Sequence, residues 1–365
     1  MDQFKLYDCG SNGNYQLGVG NDNDLDVLTQ IDFPAATKIT KIASGGNHTF
    51  VLLETGEIWA SGDNSYGQCG TVPNDESLQH FKKFRRIGEH LTWANMACGW
   101  EFSVLVDIEG RVYSCGLGSK GELALGKGTF KSYAKEDLGK HGMVSSLRQV
   151  SFPSEINKIV DIKASLNHVI LRTSNSFYGW GYNKGHKMCP SLGKMVWAPS
   201  KLENLSAGLQ GFALGREYTV FYSNREIVLR GKTEKMQADG LMAFETKEIA
   251  NIQSMWSSVH VETKDGAIHS LGNNSHGQKL ISSNNVKIKQ YAVGSEHGII
   301  LDNNNNVYCW GWGEHGNCGV HSGLTNDDEV TFDFLNRIYN GGETVYMVSG
   351  GCATTFVATI DNQSK

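Results

Sequence analysis

The chain has 365 residues, a formal net charge of −5 and 43 glycines beside only 5 prolines. The acidic balance argues against a large basic nucleic-acid footprint, and scarce proline suits a backbone whose N–H groups mostly donate to sheet ladders. The 8 cysteines form no C-x-x-C pair, which leaves a zinc knuckle or a redox dithiol without support, and no apolar run approaches the ~18 residues of a spanning helix.

Met1 to Lys5 is a lead-in. Leu6 to Gly18, L-Y-D-C-G-S-N-G-N-Y-Q-L-G, reads as the second half of a unit that recurs along the chain, and Asn21 to Asp26 is an acidic loop. The clearest full unit runs from Ile39 to Gly70. In it Gly45-Gly46-Asn47-His48 precedes the apolar run Phe50 to Leu53, then Gly56, then Ile58-Trp59-Ala60-Ser61-Gly62, then Gly67. A second copy places Gly99-Trp100-Glu101 before Ser103 to Val106, then Gly110, Val112 to Gly116 and Gly121. A third carries Asn167-His168, Val169 to Leu171, Phe177-Tyr178-Gly179-Trp180-Gly181 and Gly185. Two worn copies follow, Gly215 through Tyr218 to Gly231, and Trp256 through His260 to Gly266, Ile268, Gly272 and Gly277. The last full copy runs from Gly294-Ser295-Glu296-His297 through Val307 to Gly319, V-Y-C-W-G-W-G-E-H-G-N-C-G. Val345 to Thr359 holds only the first half of a unit.

Short apolar runs bounded by turns are buried strands, and glycine-marked strand repeats of this length mean propellers or arrays. Six internal copies plus two complementary halves give an all-β, seven-bladed β-propeller. One blade is shared, with residues 1–18 closing against 343–360. Such closure removes the exposed sheet edges that would template aggregation. Residues 1–365 are read as one propeller domain, with long inserts near 71–93, 119–159, 233–250 and 320–342, and helix only inside the inserts. In the first insert Lys82, Lys83, Arg85 and Arg86 flank Phe81 and Phe84. That pattern is either an RNA-binding stripe or, as favoured here, a solvated face with two anchored aromatics. Gly126 to Gly128 lacks the G-K-[ST] ending of a phosphate loop.

Antiparallel strands alternate direction, so all G-x-x-H turns share a rim with all G-x-N-x-x-G turns. That rim collects the candidate partner-binding residues Asn47, His48, Trp100, Glu101, Trp256, Glu296, His297, Trp312, Glu314 and His315. Tryptophans there either plug the central channel or anchor an interface. Histidines 48, 168, 260 and 297 recur at similar places; hydrogen bonds to the neighbouring blade explain them better than a metal. No nucleophile–base pair and no G-x-S-x-G are present, so no catalytic residue, cofactor or metal is assigned.

The repeat resembles that of the regulator-of-chromosome-condensation family over the whole chain. Cys98 to Glu101, Met255 to His260, Gly294 to Gly298, Val307 to Gly319 and Gly350 to Thr355 are similar to the fungal α-tubulin-suppressor, or killer-toxin-insensitivity, branch of that family. This resemblance implies a non-catalytic propeller that forms a heterodimer with a small zinc-binding, electron-carrying diphthamide-synthesis protein. It implies indirect links to diphthamide synthase, acting on elongation factor 2, and to Elongator, acting on wobble uridines of transfer RNA. The alternative is nucleotide exchange on a Ran-like small GTPase, although the basic N-terminal tail expected of a chromatin-bound member is missing. Free thiols and the lack of a signal peptide suggest the cytoplasm, and also the nucleus, with neither membrane nor direct DNA binding.

Overall fold

Seven antiparallel sheets stand around a central channel in the computed structural model, which describes residues 3–34, 37–136, 142–234, 240, 244, 249–280, 286–320 and 330–361. Blade one is built from Ile39–Ser44, His48–Leu53, Ile58–Asp63 and His80–Ile87 in that order. Blades two (Trp93–Cys98 to Met143–Gln149), three (Ile159–Ser165 to Met195–Lys201) and six (Ile288–Val293 to Thr331–Tyr339) repeat the four-strand plan. Blades four (Gly211–Leu214 to Ile227–Gly231) and five (Ile249–Ser254 to Ile268–Gly272) have three strands each among the described residues. Blade seven is the composite one: Thr344–Gly350 and Thr354–Asp361 from the C-terminal segment pair with Gln3–Gly10 and Leu25–Gln30 from the N-terminal one. The first strand of every blade packs on the first strand of the next, and that of blade seven packs on that of blade one, closing the ring.

The core lies between blades. Phe102, Val104, Val169, Trp180, Phe212 and Phe221 belong to one continuous cluster joining blades two, three and four. Leu6 and Phe356 of blade seven share another with Val51 and Phe84 of blade one. The second strands of blades one, two and six, His48–Leu53, Phe102–Asp107 and His297–Asp302, are buried along their whole length, as strands covered on both faces must be.

One glycine per blade sets the turn geometry. Gly10, Gly62, Gly116, Gly181, Gly231, Gly272 and Gly311 all have φ between +96° and +118°, a region that side chains strongly disfavour. Each pairs with the first residue of its blade's second strand, as Gly62 with His48 and Gly311 with His297. The following N–H then reaches back to the preceding turn, as from Asp63 to the Asn47 carbonyl at 2.8 Å and from Trp312 to the Glu296 carbonyl at 3.0 Å. A Cβ on Gly311 would sit 2.6 Å from the Glu296 carbonyl oxygen. Gly311→Ala should therefore lower unfolding stability by about 2 kcal/mol or more in denaturant titrations. Gly128→Ala, in the helix Lys127–Glu136 with no atom within 4 Å of the added methyl, should be neutral or stabilising by up to about 1 kcal/mol.

The inserts largely supply outer strands. Residues 71–93 contain the strand His80–Ile87, where Phe81 and Phe84 are buried while Lys82, Lys83, Arg85 and Arg86 face solvent. This is the solvated face with anchored aromatics. Within 119–159 lie the helix Lys127–Glu136 and the strand Met143–Gln149. Residues 137–141, most of 235–248, and 321–329 fall outside the described residues, so those parts of the inserts do too. Among the described residues, no helix is long and apolar enough to cross a membrane.

Candidate functional site: the channel mouth and its rim

Backbone hydrogen bonds stitch the turns of neighbouring blades around one mouth of the channel. The Gly46 N–H donates to the Trp100 carbonyl (2.9 Å) and the Trp100 N–H to the Leu166 carbonyl (3.0 Å). On the other side Arg216 donates to Trp256 (3.0 Å), Trp256 to Ser295 (2.8 Å) and Ser295 to Gly351 (2.9 Å). The main chains of Trp100 and Trp256 are thus part of the ring itself. Their indoles come from blades two and five and meet over the mouth, 5.7 Å apart at 52°. Beneath them is a cavity of about 150 Å³ lined by Gly45, Gly99, Ser165, Ser254, Gly294 and Cys352 among others. Both tryptophans remain half-buried. They cap the channel and still present indole surface on the rim.

The G-x-N-x-x-G turns carry a second repeated device. The Oδ1 atoms of Asn12, Asn64, Asn183 and Asn274 accept the N–H five residues on, from Leu17 (3.1 Å), Cys69 (2.9 Å), Met188 (2.8 Å) and Lys279 (2.7 Å). The backbone carbonyl just before that N–H receives a donor from the next blade. Gln16 receives Ser61 Oγ (3.0 Å), Gln68 receives Ser103 Oγ (2.8 Å), Glu122 receives Trp180 Nε1 (2.9 Å), Gln278 receives Trp310 Nε1 (2.9 Å) and Asn317 receives Thr355 Oγ1 (2.7 Å). Asparagine and latch coincide in the turns of Asn12, Asn64 and Asn274, while Gly118 and Gly313 hold the asparagine slot in the turns that latch through Glu122 and Asn317.

The histidines divide. His48 Nε2 lies 2.8 Å from Ser103 Oγ and His297 Nε2 lies 3.0 Å from Thr355 Oγ1, each across a blade interface. His260 instead bonds Ser258 and Ser270 of its own blade, and among the described residues His168 has no hydrogen-bond partner. All four rings are fully buried, so His48 and His297 face the next blade rather than a partner. Burial holds His48 and His297 neutral down to about pH 4. Among the described residues, no three His, Cys, Asp or Glu side chains converge as a metal site would require.

The remaining candidates do not form one patch. Glu296 is half-buried; its Oε2 accepts Ser257 Oγ (2.7 Å) and Gln278 Nε2 (3.1 Å), and burial raises its pKa against those bonds. Trp312 stacks on His276 of blade five, centroids 4.8 Å apart at 17°. Glu314 is exposed, and His315 Nδ1 lies 2.8 Å from Asp24 Oδ2, tying blade six to blade seven. Asn47 contributes its carbonyl to the turn. Glu101 is half-buried beside Trp100, its pKa raised first by burial and then by Asp63.

Sequence reasoning missed a groove of about 430 Å³ beside the tryptophan pair, between the turns of blades two, three and four. Lys120, Tyr182, Lys184, Lys187 and Arg216 line it with Trp100, Glu101 and Trp256. Lys187 is only 4% exposed. The signal was there: Lys187 occupies the turn slot that holds Gln16, Gln68, Glu122, Gln278 or Asn317 elsewhere.

Models of the regulator of chromosome condensation (RCC1) repeat match residues 5–52, 39–68, 93–122 and 288–317. An RCC1 repeat-containing protein of Schizosaccharomyces pombe is 32% identical, covering 98% of this chain and 99% of its own. A secretion-regulating guanine nucleotide exchange factor of Bos taurus is 24% identical, covering 86% and 75%. Among solved structures, Prp20p of Saccharomyces cerevisiae, described with its binding to Gsp1p and histones, superposes with a TM-score of 0.77 at 18% identity over 98% of this chain and 91% of that one. Human WBSCR16 gives 0.77 at 14% identity over 98% of each. With seven blades, the shared closing blade and a full-length relative at 32% identity, the chain belongs to the RCC1 repeat family.

Proposed function

We propose that this propeller is a non-catalytic docking protein whose channel-mouth rim forms a heterodimer with a small zinc-binding electron carrier. Through that partner it supports diphthamide synthesis on elongation factor 2 and Elongator-dependent wobble-uridine modification. The observation that carries the reading is the half-buried Trp100–Trp256 pair over the mouth. Aromatic anchors of this kind concentrate binding energy in interfaces, and the strings around both residues are those that resemble the α-tubulin-suppressor branch. Its place is the cytoplasm, and also the nucleus, in keeping with eight free cysteines.

Purification of the tagged chain from its own cells, followed by mass spectrometry and zinc analysis, tests the reading: a stoichiometric small zinc protein is expected. Trp100→Ala and Trp312→Ala should weaken that complex about 30-fold, the equivalent of about 2 kcal/mol, with melting unchanged. Glu101→Ala should weaken it slightly and reduce its salt sensitivity. Glu54→Ala and Glu109→Ala, on the opposite rim, should leave it unaltered. Normal binding by the tryptophan variants would remove this face from consideration.

A second reading, nucleotide exchange on a small GTPase, is favoured by the 24% identity to an exchange factor over most of the chain. Accelerated release of labelled GDP from a Ran-like GTPase would establish it in place of the first.

A further inference from the structure

The groove beside the tryptophan pair is unbalanced in charge once its internal partners are counted. Four cations line it, Lys120, Lys184, Lys187 and Arg216, against Glu101, Glu122 and Glu217. Two of the carboxylates are engaged within the fold. Glu217 pairs with Lys232 (2.9 Å), and the oxygens of Glu122 accept the neutral Lys120 N–H (2.6 Å) and Asn167 Nδ2 (3.3 Å), its charge staying in the groove. Glu101 is left, half-buried, with its pKa raised by burial. Among the described residues, none of the four cations has a carboxylate within 4.0 Å.

Lys187 is the most demanding of them. It is almost fully buried, yet its Nζ spends one N–H on the Arg216 carbonyl at 3.0 Å, and an ammonium carries three donors. A buried charge without a counter-ion is costly. Burial accordingly lowers its pKa to about 8, against the opposing pull of Glu217. Lys120 lies over the Tyr182 ring at 5.5 Å, so the floor combines aromatic surface with free cation.

We propose that this groove receives an acidic peptide segment of the docked partner, with a carboxylate bound by Lys187, flanked by Lys184 and Arg216, and an apolar side chain against Tyr182, Trp100 and Trp256. The proposal rests on the reading of the rim as a docking face, and it gives the sign of the partner's charge there. The volume suits a few side chains, and continuity with the tryptophan pair makes groove and mouth one surface.

The test uses the full chain and a fluorescein-labelled peptide of glutamates with one central phenylalanine, followed by anisotropy. Saturable, salt-sensitive binding is expected, at least about tenfold tighter than to the glutamine counterpart. Lys187→Met, which keeps the length of the side chain, should weaken it at least about tenfold, as should Lys184→Glu with Arg216→Glu, whose side chains are exposed and carry no fold. Lys82→Glu with Arg85→Glu, on the outer strand of blade one, should change nothing. Equal binding of the glutamine peptide, or indifference to the groove variants, overturns the proposal. So does more effective displacement by pyrophosphate or by a single-stranded oligonucleotide, which would make the groove a small-anion or nucleic-acid site. A copurifying zinc protein lost on Trp100→Ala but kept by the groove variants would preserve the docking face while overturning the acidic segment; peptide binding without any zinc protein would do the reverse.

Discussion

A chain lacking residues 1–17 should fail to give soluble, cooperatively folding protein. The strand Gln3–Gly10 pairs with Thr354–Asp361 in unbroken register from Gln3 opposite Asp361 to Gly10 opposite Thr354, and its other edge carries Leu25–Gln30. Its removal leaves Leu25–Gln30 without a partner and opens one edge of Thr354–Asp361, which keeps only Thr344–Gly350. Leu6, Cys9 and Leu17 are fully buried, and each leucine contributes roughly 2 kcal/mol through burial alone. The Gln16 carbonyl that latches Ser61 goes too, as does the pairing of Lys5 with Glu343 and Asp361. Together with the ladder bonds, at roughly 1 kcal/mol each, the loss equals or exceeds the ~5–15 kcal/mol by which domains are usually stable. Circular dichroism melting and size-exclusion chromatography decide it. A truncated chain with an unchanged, concentration-independent transition would mean the ring does not depend on its shared blade.

Most of the fold was legible because the propeller repeats its constraints. The positive-φ glycine, the signature asparagine and the buried second strand each recur, so wear in one copy, as at Gly231, is read through the others. Blade seven was legible from its halves, since only complementary fragments close a ring. The site was less legible. Which rim a turn faces follows from strand alternation, but what its side chain touches depends on the neighbouring blade. His297 and Glu296 are adjacent in sequence, yet one ring is fully buried against Thr355 while the other side chain bonds Ser257 of blade five. Trp100 and Trp256 stand far apart in the chain and meet only because five-blade and two-blade turns converge on one mouth. Lys187 was passed over because Gly185 follows Asn183 by two residues where Gly67 follows Asn64 by three, which hid the equivalence to Gln68.

Acidification should unfold this protein steeply between pH 6.5 and about 4. His48 and His297 stay neutral in the fold down to about pH 4 and His260 down to about pH 3, because their full burial penalises the imidazolium; His168, where Lys187 adds to burial, lies well below the usual range. In the unfolded chain these groups protonate near 6.5. Between the two values the unfolded state binds more protons, so stability falls as pH is lowered through that window and is untouched by these groups above it. For His48 and His297 the effect amounts to about 3 kcal/mol each at the acid end. Asp8 works the other way: fully buried, it is pushed well above the usual carboxylate range, and acidification relieves the cost of its charge. Glu101, Glu122, Glu262 and Glu296, also raised by burial, act in the same direction as Asp8 and soften the fall set by the four imidazoles. Urea midpoints should thus be level from pH 7 to 8 and fall progressively toward pH 5. His168→Leu should separate the cause, since among the described residues neither of its ring nitrogens has a hydrogen-bond partner. That variant should be as stable as the parent or more so at pH 7, and it should lose less stability at pH 5. A parent midpoint independent of pH across this range, or a variant with the parent's full acid sensitivity, would show that the buried histidines do not govern the transition.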